Sequence, residues 1–117
     1  MSGKHAVKSV LKKISNGQSL AGADLRNLYL TCMDFSNMDL RLANFDGCHL
    51  SLAIMDGSDL CNANLANANL IRASFKDARL DGANFSAAVV AGADFSGAVG
   101  LGPQMKKFLK AKGAKGI

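Results

Sequence analysis

Residues 61–75 read CNANL, ANANL, IRASF: three blocks of five, each closing on a bulky apolar residue (Leu65, Leu70, Phe75) with alanine two places earlier. The spacing runs outward from there without a break. Every fifth residue from Leu20 to Phe95 is apolar, through Leu25, Leu30, Phe35, Leu40, Phe45, Leu50, Met55, Leu60, Leu80, Phe85 and Val90. Alanine stands two places before the central residue at 23, 43, 53, 63, 68, 73, 78, 83, 88 and 93. A period of five fits neither a helix at 3.6 nor a strand at 2. It fits a coil of square cross-section, in which each five-residue unit makes one side and one corner. Four sides close a turn, so positions twenty apart stack at the cross-β spacing of about 4.8 Å.

Each side turns inward its central residue and the small residue two before it. The small residue must be small because four side chains already crowd a narrow axis. The central residues then form ladders, with Leu25, Phe35, Phe45, Leu65, Phe75, Phe85 and Phe95 as a structural core. Leu28, Met33, Met38 and Cys48 replace alanine in the earlier coils, and Ser58 does so once more, which predicts a wider N-terminal end where a lid can insert. The glycines at 22, 47, 57, 82, 92 and 97 share one corner position, so their role is turning.

These triplets resemble the pentapeptide-repeat family, whose pattern is roughly Ala-(Asp/Asn)-Leu-x-x. Matching units are Ala23-Asp24-Leu25, Ala43-Asn44-Phe45, Ala63-Asn64-Leu65, Ala68-Asn69-Leu70, Ala83-Asn84-Phe85 and Ala93-Asp94-Phe95. Sixteen units in strict register cover residues 18–97. The resemblance implies an all-β solenoid, a right-handed quadrilateral β-helix of about four coils. It also implies binding to type II topoisomerases such as DNA gyrase, through an acidic rod that mimics DNA and in some members confers quinolone resistance. This chain shares a net negative shaft with those members. It differs in being short, in its basic ends and in having no loop that breaks the register.

Open coil ends present unpaired backbone and need lids. Residues 4–15 place Val7, Val10, Leu11 and Ile14 at helical spacing, with Lys8, Lys12 and Lys13 elsewhere on the wheel and Lys4 at its border. Gly17 is the expected stop. Residues 103–112 open on Pro103 and carry Met105, Phe108 and Leu109 on one stripe, closed by Gly113. Both segments read as short capping α-helices, giving three regions: an N-terminal cap at 1–17, the β-helix at 18–98, and a C-terminal cap with basic tail at 99–117. The stripe Met105, Phe108 and Leu109 also fits a homodimer contact, as the resemblance implies for some relatives.

Composition bounds the rest. A chain of 117 residues makes one domain. It has no transmembrane run and no secretory segment, and its three cysteines make no even disulfide set, so free thiols in the cytoplasm are expected. Cys48 should point inward and Cys32 and Cys61 outward. Arg41 stacks below Cys61, which raises a reactive thiol there as one reading. Residues 18–97 hold nine aspartates against Arg26, Arg41, Arg72, Lys76 and Arg79, while the ends hold nine lysines and no acid, giving the net +5. The lysines either keep coil ends from stacking or contact nucleic acid or an anionic membrane.

Nothing in the sequence assembles a catalytic, metal or cofactor site. Glutamate is absent, the two histidines (His5, His49) lie in different elements, and no phosphate-cradling loop is present. Asp39 and Asp59 stack on one side, where adjacent carboxylates would raise a pKa, hold a cation or form a solvated column. Binding is left to the outer faces. One side carries Tyr29, Thr31, Cys32, His49, Ser51, Leu52, Ile71, Val89 and Ala91, with Arg72 and no acid. This is either an interaction face centred on Tyr29, His49, Leu52, Ile71 and Val89 or the bed of a folded-back tail. The expected function is a non-enzymatic interaction or scaffold module whose partner is another protein, with the gyrase-binding DNA mimic and the lysine-mediated contact as alternatives. As a check on the inward assignment, Ala63→Leu should overpack the axis and cost about 1–3 kcal/mol, more than an exposed change such as Asn67→Ala, by urea unfolding.

Overall fold

In the computed structural model, which describes residues 3–117, a four-residue turn recurs every five residues and builds the coil. The amide of the residue three after each central position donates back to that central carbonyl, as from Ala23 to Leu20 and from Ala63 to Leu60, both at 3.0 Å. Three residues remain on each side, and the middle one bridges in parallel to the residue twenty further on. The ladders run Asp24–Asn44–Asn64–Asn84, Tyr29–His49–Asn69–Val89, Asp34–Ile54–Ser74–Asp94 and Asp39–Asp59–Arg79–Val99. Among the described residues pairing takes the form of these single-residue bridges rather than continuous strands. The turns leave too little extended chain on each side for anything longer.

All central residues from Leu20 to Phe95 are buried, including Leu25, Phe35, Phe45, Leu65, Phe75, Phe85 and Phe95. Phe75 and Phe95 stack with ring centres 4.8 Å apart and planes within 2°, one rung per coil. Phe35 meets Phe45, and Phe75 meets Phe85, edge to face at 5.8 Å. Ser58, fully buried in an alanine position, donates its hydroxyl to the Met55 carbonyl at 2.6 Å.

The corners hold more than the glycines. Every fifth residue from 22 to 97 has a positive φ, and ten of these sixteen are not glycine: Asn27, Cys32, Asn37, Leu42, Leu52, Asn62, Asn67, Arg72, Asp77 and Ala87. Asparagine and aspartate tolerate this region, whereas the other five resist it. Corners also pair down the coil. The Oδ1 atoms of Asn27, Asn37, Asn62 and Asp77 lie over Gly47, Gly57, Gly82 and Gly97, where a Cβ would collide with them. Asn67 is itself left-handed at φ 60°, so Asn67→Ala adds corner strain, and Asn67→Gly, which loses only the exposed hydrogen bond to Asp46, is the milder reference for Ala63→Leu.

Helix α1 (Gly3–Ser15) covers the first coil. Of the expected N-terminal region 1–17, residues 1 and 2 lie outside the described residues. Val10 is buried, and Ala6, Val7 and Ile14 pack partly buried on the core, while Leu11 is exposed. The helix ends in a Schellman motif, with Gly17 at φ 67° and Gln18 donating to the Lys13 carbonyl at 2.9 Å. Helix α2 (Pro103–Ala111) covers the other end, with Leu109 fully buried and Met105 and Phe108 partly so. Leu109 therefore has no surface to offer a second copy. The basic residues after α2 return to the coil. Gly113, at φ 93°, turns the chain back, the Gly92 amide donates to the Gly113 carbonyl, and Lys115 bridges Asp94. The result is a rod of 38 × 22 × 20 Å.

The corner pairing yields a double-mutant test. Gly22→Ala, with open space around its Cβ position, should cost about 1 kcal/mol from strain alone, and Gly82→Ala clearly more. Adding Asn62→Gly to Gly82→Ala should recover the difference in urea unfolding. Strict additivity would show that the Asn62–Gly82 contact is not what limits the corner.

Candidate interaction face

The outward positions on each side are the bridging residue and the two turn residues after the centre. The bridging residue usually supports the turn that follows, its side-chain oxygen accepting from the amide two residues on. Asp24, Asn44, Asn64 and Asn84 all do this on one side, at 2.9–3.3 Å. On the Tyr29–Val89 side only Asn69 does so, accepting from Ile71 at 3.2 Å. Tyr29, His49 and Val89 cannot accept in that way, so three of four turns there lack the support.

Tyr29 and His49 lie ring on ring, 4.1 Å apart and within 3° of parallel. Tyr29 is 72% exposed, Leu52 51% and Val89 48%, with Ile71 also exposed and His49 half-buried beneath the tyrosine. Leu52 and Ile71 meet on adjacent rungs, joined by the Leu52 amide to the Ile71 carbonyl at 2.9 Å. The structure thus brings Tyr29, His49, Leu52, Ile71 and Val89 onto one surface spanning four coils. It adds Ile54, exposed just past the Leu52 corner. The sequence pattern assigns Ile54 to the next side, and only its distance from the preceding corner could have revealed it. Leu42 is also exposed, but on the opposite side beside Arg41 and Cys61.

On the other sides four of the nine aspartates have a cation within ion-pair reach, while Asp34, Asp46, Asp56, Asp77 and Asp81 have none among the described residues. Arg26 pairs with Asp24 at 2.8 Å, Arg41 with Asp39 at 2.7 Å, Arg79 with Asp59 at 3.9 Å and Lys76 with Asp94 at 3.9 Å. The stacked Asp39 and Asp59 are accordingly stronger acids, not weaker ones. The Arg41 guanidinium and backbone amide hold Asp39 down to about 2, and the hydrogen bonds from Cys61 lower Asp59. The same geometry overturns the reactive-thiol reading of Cys61. The Asp59 carboxylate beside that thiol raises its pKa, with burial and the Asp59 charge adding to the effect, and the thiol donates to Asp81 Oδ2 at 3.7 Å. Burial pushes Cys48 up to about 11, and its thiol donates to the Leu25 carbonyl at 2.7 Å. Among the described residues no three of His, Cys, Asp or Glu converge as metal ligands, and no helix is long and apolar enough to cross a membrane.

A carboxylate depressed by its folded surroundings contributes stability that is present above its ordinary value and lost as pH falls through the folded one. For Asp39 that window runs from 3.8 down to about 2. An NMR titration of the side-chain carboxyl should find this value, and Arg41→Ala should move it back towards 3.8. An Asp39 that titrates normally in the parent protein would remove the pairing from the account.

The profile described as pentapeptide repeats matches the chain in eight copies, over residues 19–57, 53–89 and 78–100. No curated protein matches it. Among solved structures it is similar to a pentapeptide repeat protein of the Arabidopsis thaliana thylakoid lumen, at 29% identity and TM-score 0.31, covering 82% of this chain and 77% of that one. It is similar to a pentapeptide repeat protein of Nostoc PCC 7120 at 21% identity and TM-score 0.41, covering 93% and 95%. It is also similar to QnrB1, a plasmid-mediated fluoroquinolone resistance protein, at 23% identity and TM-score 0.40 over 68% of this chain, and it spans only 49% of that structure's length. With the repeat profile matched along the whole coil, the chain belongs to the pentapeptide-repeat family.

Proposed function

We propose that the protein is a non-enzymatic interaction module that docks another protein on its Tyr29–Val89 face. The scaffold is taken as the right-handed, four-sided β-helix that the family resemblance implies, closed by α1 and α2. The observation that carries the reading is the contrast between sides. Tyr29, Leu52, Ile71 and Val89 stand exposed on a side without an acid, where three turns forgo their supporting Asp or Asn, while every other side carries aspartate. Exposed apolar residues in a continuous patch favour association. The three free cysteines, Cys32, Cys48 and Cys61, fit a reducing cytoplasm.

The DNA-mimic reading fits the geometry less well. Four of the nine shaft aspartates, Asp24, Asp39, Asp59 and Asp94, are each matched by a cation within 4 Å, which interrupts the negative field along the rod that a duplex mimic needs. Self-association through α2 would rest on Met105 and Phe108, since Leu109 is buried.

Two left-handed leucine corners provide a matched test. Leu52→Asn combined with Ile71→Asn strips the face, while Leu42→Asn makes the same kind of change on the opposite side, and asparagine suits both corners. Affinity capture from native extract should give a partner retained by the parent and by Leu42→Asn. The Leu52/Ile71 variant should bind it roughly tenfold more weakly or worse. Gyrase supercoiling should be unaffected at all protein concentrations. Equal retention by both variants, or inhibition of gyrase abolished by neutralising shaft aspartates, would overturn the reading.

A further inference from the structure

Arg26, Arg41 and Arg79 each have an aspartate within ion-pair reach, but Arg72 has none among the described residues. It stands at a left-handed corner of the apolar face, and its stem lies across Gly92 on the next coil, where a Cβ would come within 3.2 Å of Arg72 Cγ. The missing side chain at Gly92 leaves a groove of about 290 Å³ lined by Arg72, Ser74, Lys76, Gly92, Asp94 and Lys115. Three cations line the groove with one carboxylate, and Asp56 beside it is held by the Ser74 hydroxyl and the Lys76 amide. Asp94 is already engaged by the Ser96 hydroxyl at 2.6 Å and by Lys76. The return of the chain after α2 supplies Lys115. It also places Phe108 and Lys112 beside Val89 in a second groove of about 340 Å³, with Lys112 Nζ 5.9 Å from the Phe108 ring centre.

The face therefore has two chemical halves. Tyr29, Leu52 and Ile71 give an apolar surface, while Lys112 stands beside Val89 and Arg72, Lys76 and Lys115 line the groove at the adjoining corner, giving a cationic base. A second copy docked parallel, face to face, would set these cations against their equals, and docked antiparallel it would set them on Tyr29 and Leu52, where the face has no carboxylate to meet them. A single-stranded nucleic acid would find one exposed aromatic, already stacked on His49. We infer that the face takes an acidic amphipathic segment of a partner protein. Its apolar residues lie on Leu52, Ile71 and Val89, and its carboxylates sit on the unpaired Arg72 with Lys76 and Lys115.

This inference rests on the proposed interaction face, and one experiment separates the two. A display library of random short peptides is selected on the full chain. Binding is then measured to the parent, to Arg72→Asn/Lys76→Gln/Lys115→Gln, and to Ile71→Asn, with thermal melts confirming that each is folded. Asparagine is suited to the left-handed Arg72 corner, and the other two changes keep the backbone pairing. The expected pool is rich in Asp and Glu beside Leu, Ile or Phe, is weakened roughly tenfold or more by the triple change, and is salt-sensitive. Peptides that are neutral or basic, and lost only in Ile71→Asn, would overturn the acidic partner and leave the face standing. Peptides indifferent to both variants, or no enrichment at all, would overturn both. A single-stranded oligonucleotide that binds through Arg72 and displaces the peptides would replace the acidic segment with nucleic acid.

Discussion

The molecule depends on one backbone condition: every fifth residue from 22 to 97 must hold a positive φ. That corner closes a turn, and four corners bring the chain back beneath the residue twenty before. An L-residue enters this region against steric resistance of about 1–2 kcal/mol. No corner is stable by itself, and each side contributes too little extended chain to form a strand alone. What makes the condition tolerable is the axis, where central residues from Leu20 to Phe95 stack with no opening to solvent. Corner and core are thus one constraint. A one-residue slip would move central side chains off the axis, and the sequence contains no such slip.

The same condition organises the polar surface. Where Asp or Asn precedes the centre, its oxygen holds the amide of the next turn, so the acidity of the shaft arises largely from corner chemistry. Asp34 and Asp94 show this most simply, each accepting from the serine amide and hydroxyl two residues later, with pKa values lowered as a result. Arginines placed two residues on, or one coil down, then offset the charge locally. The side bearing Tyr29, His49 and Val89 gives up three of these supports. Tyr29 and His49 recover part of that loss by stacking on each other, whereas Val89 stands exposed with neither a supported turn nor an aromatic partner, a choice that local structure does not explain.

Much of this was legible in the sequence because a fixed period states the register outright. Inward positions, the glycine corners and the grouping of Tyr29 with Val89 follow from counting in fives, and the two lids from helical spacing on either side of the repeat. What remained hidden acts across coils or outside the repeat. Leu42 and Leu52 carry no local mark of a left-handed backbone, since the coil imposes it on them. The fit of Asn62 over Gly82 joins residues of two different coils. The return of Gly113–Lys115 to the coil was unreadable because Asp94 pairs with Lys115 at an offset of twenty-one, after a helix that breaks the count. The stacking of Asp39 and Asp59 left a raised pKa, a bound cation and a solvated column all open, because the deciding contacts are the Arg41 guanidinium on Asp39 and the Cys61 hydrogen bonds on Asp59.

The corners also bear on what the face is for. Five of them hold residues ill-suited to a left-handed backbone: Cys32, Leu42, Leu52, Arg72 and Ala87. Three of these five, Cys32, Leu52 and Arg72, belong to the Tyr29–Val89 side. Glycine or asparagine would relieve each one, as they do at most other corners, so backbone stability does not account for Leu52 and Arg72. Core packing does not account for them either, because both side chains are exposed. A coil that holds them at fixed rung spacing has already ordered its side of any contact, and a partner then meets little further entropy loss from the scaffold. Strain concentrated on one side, with Leu42 and Ala87 the strained corners elsewhere, is best explained by what those side chains touch outside the molecule.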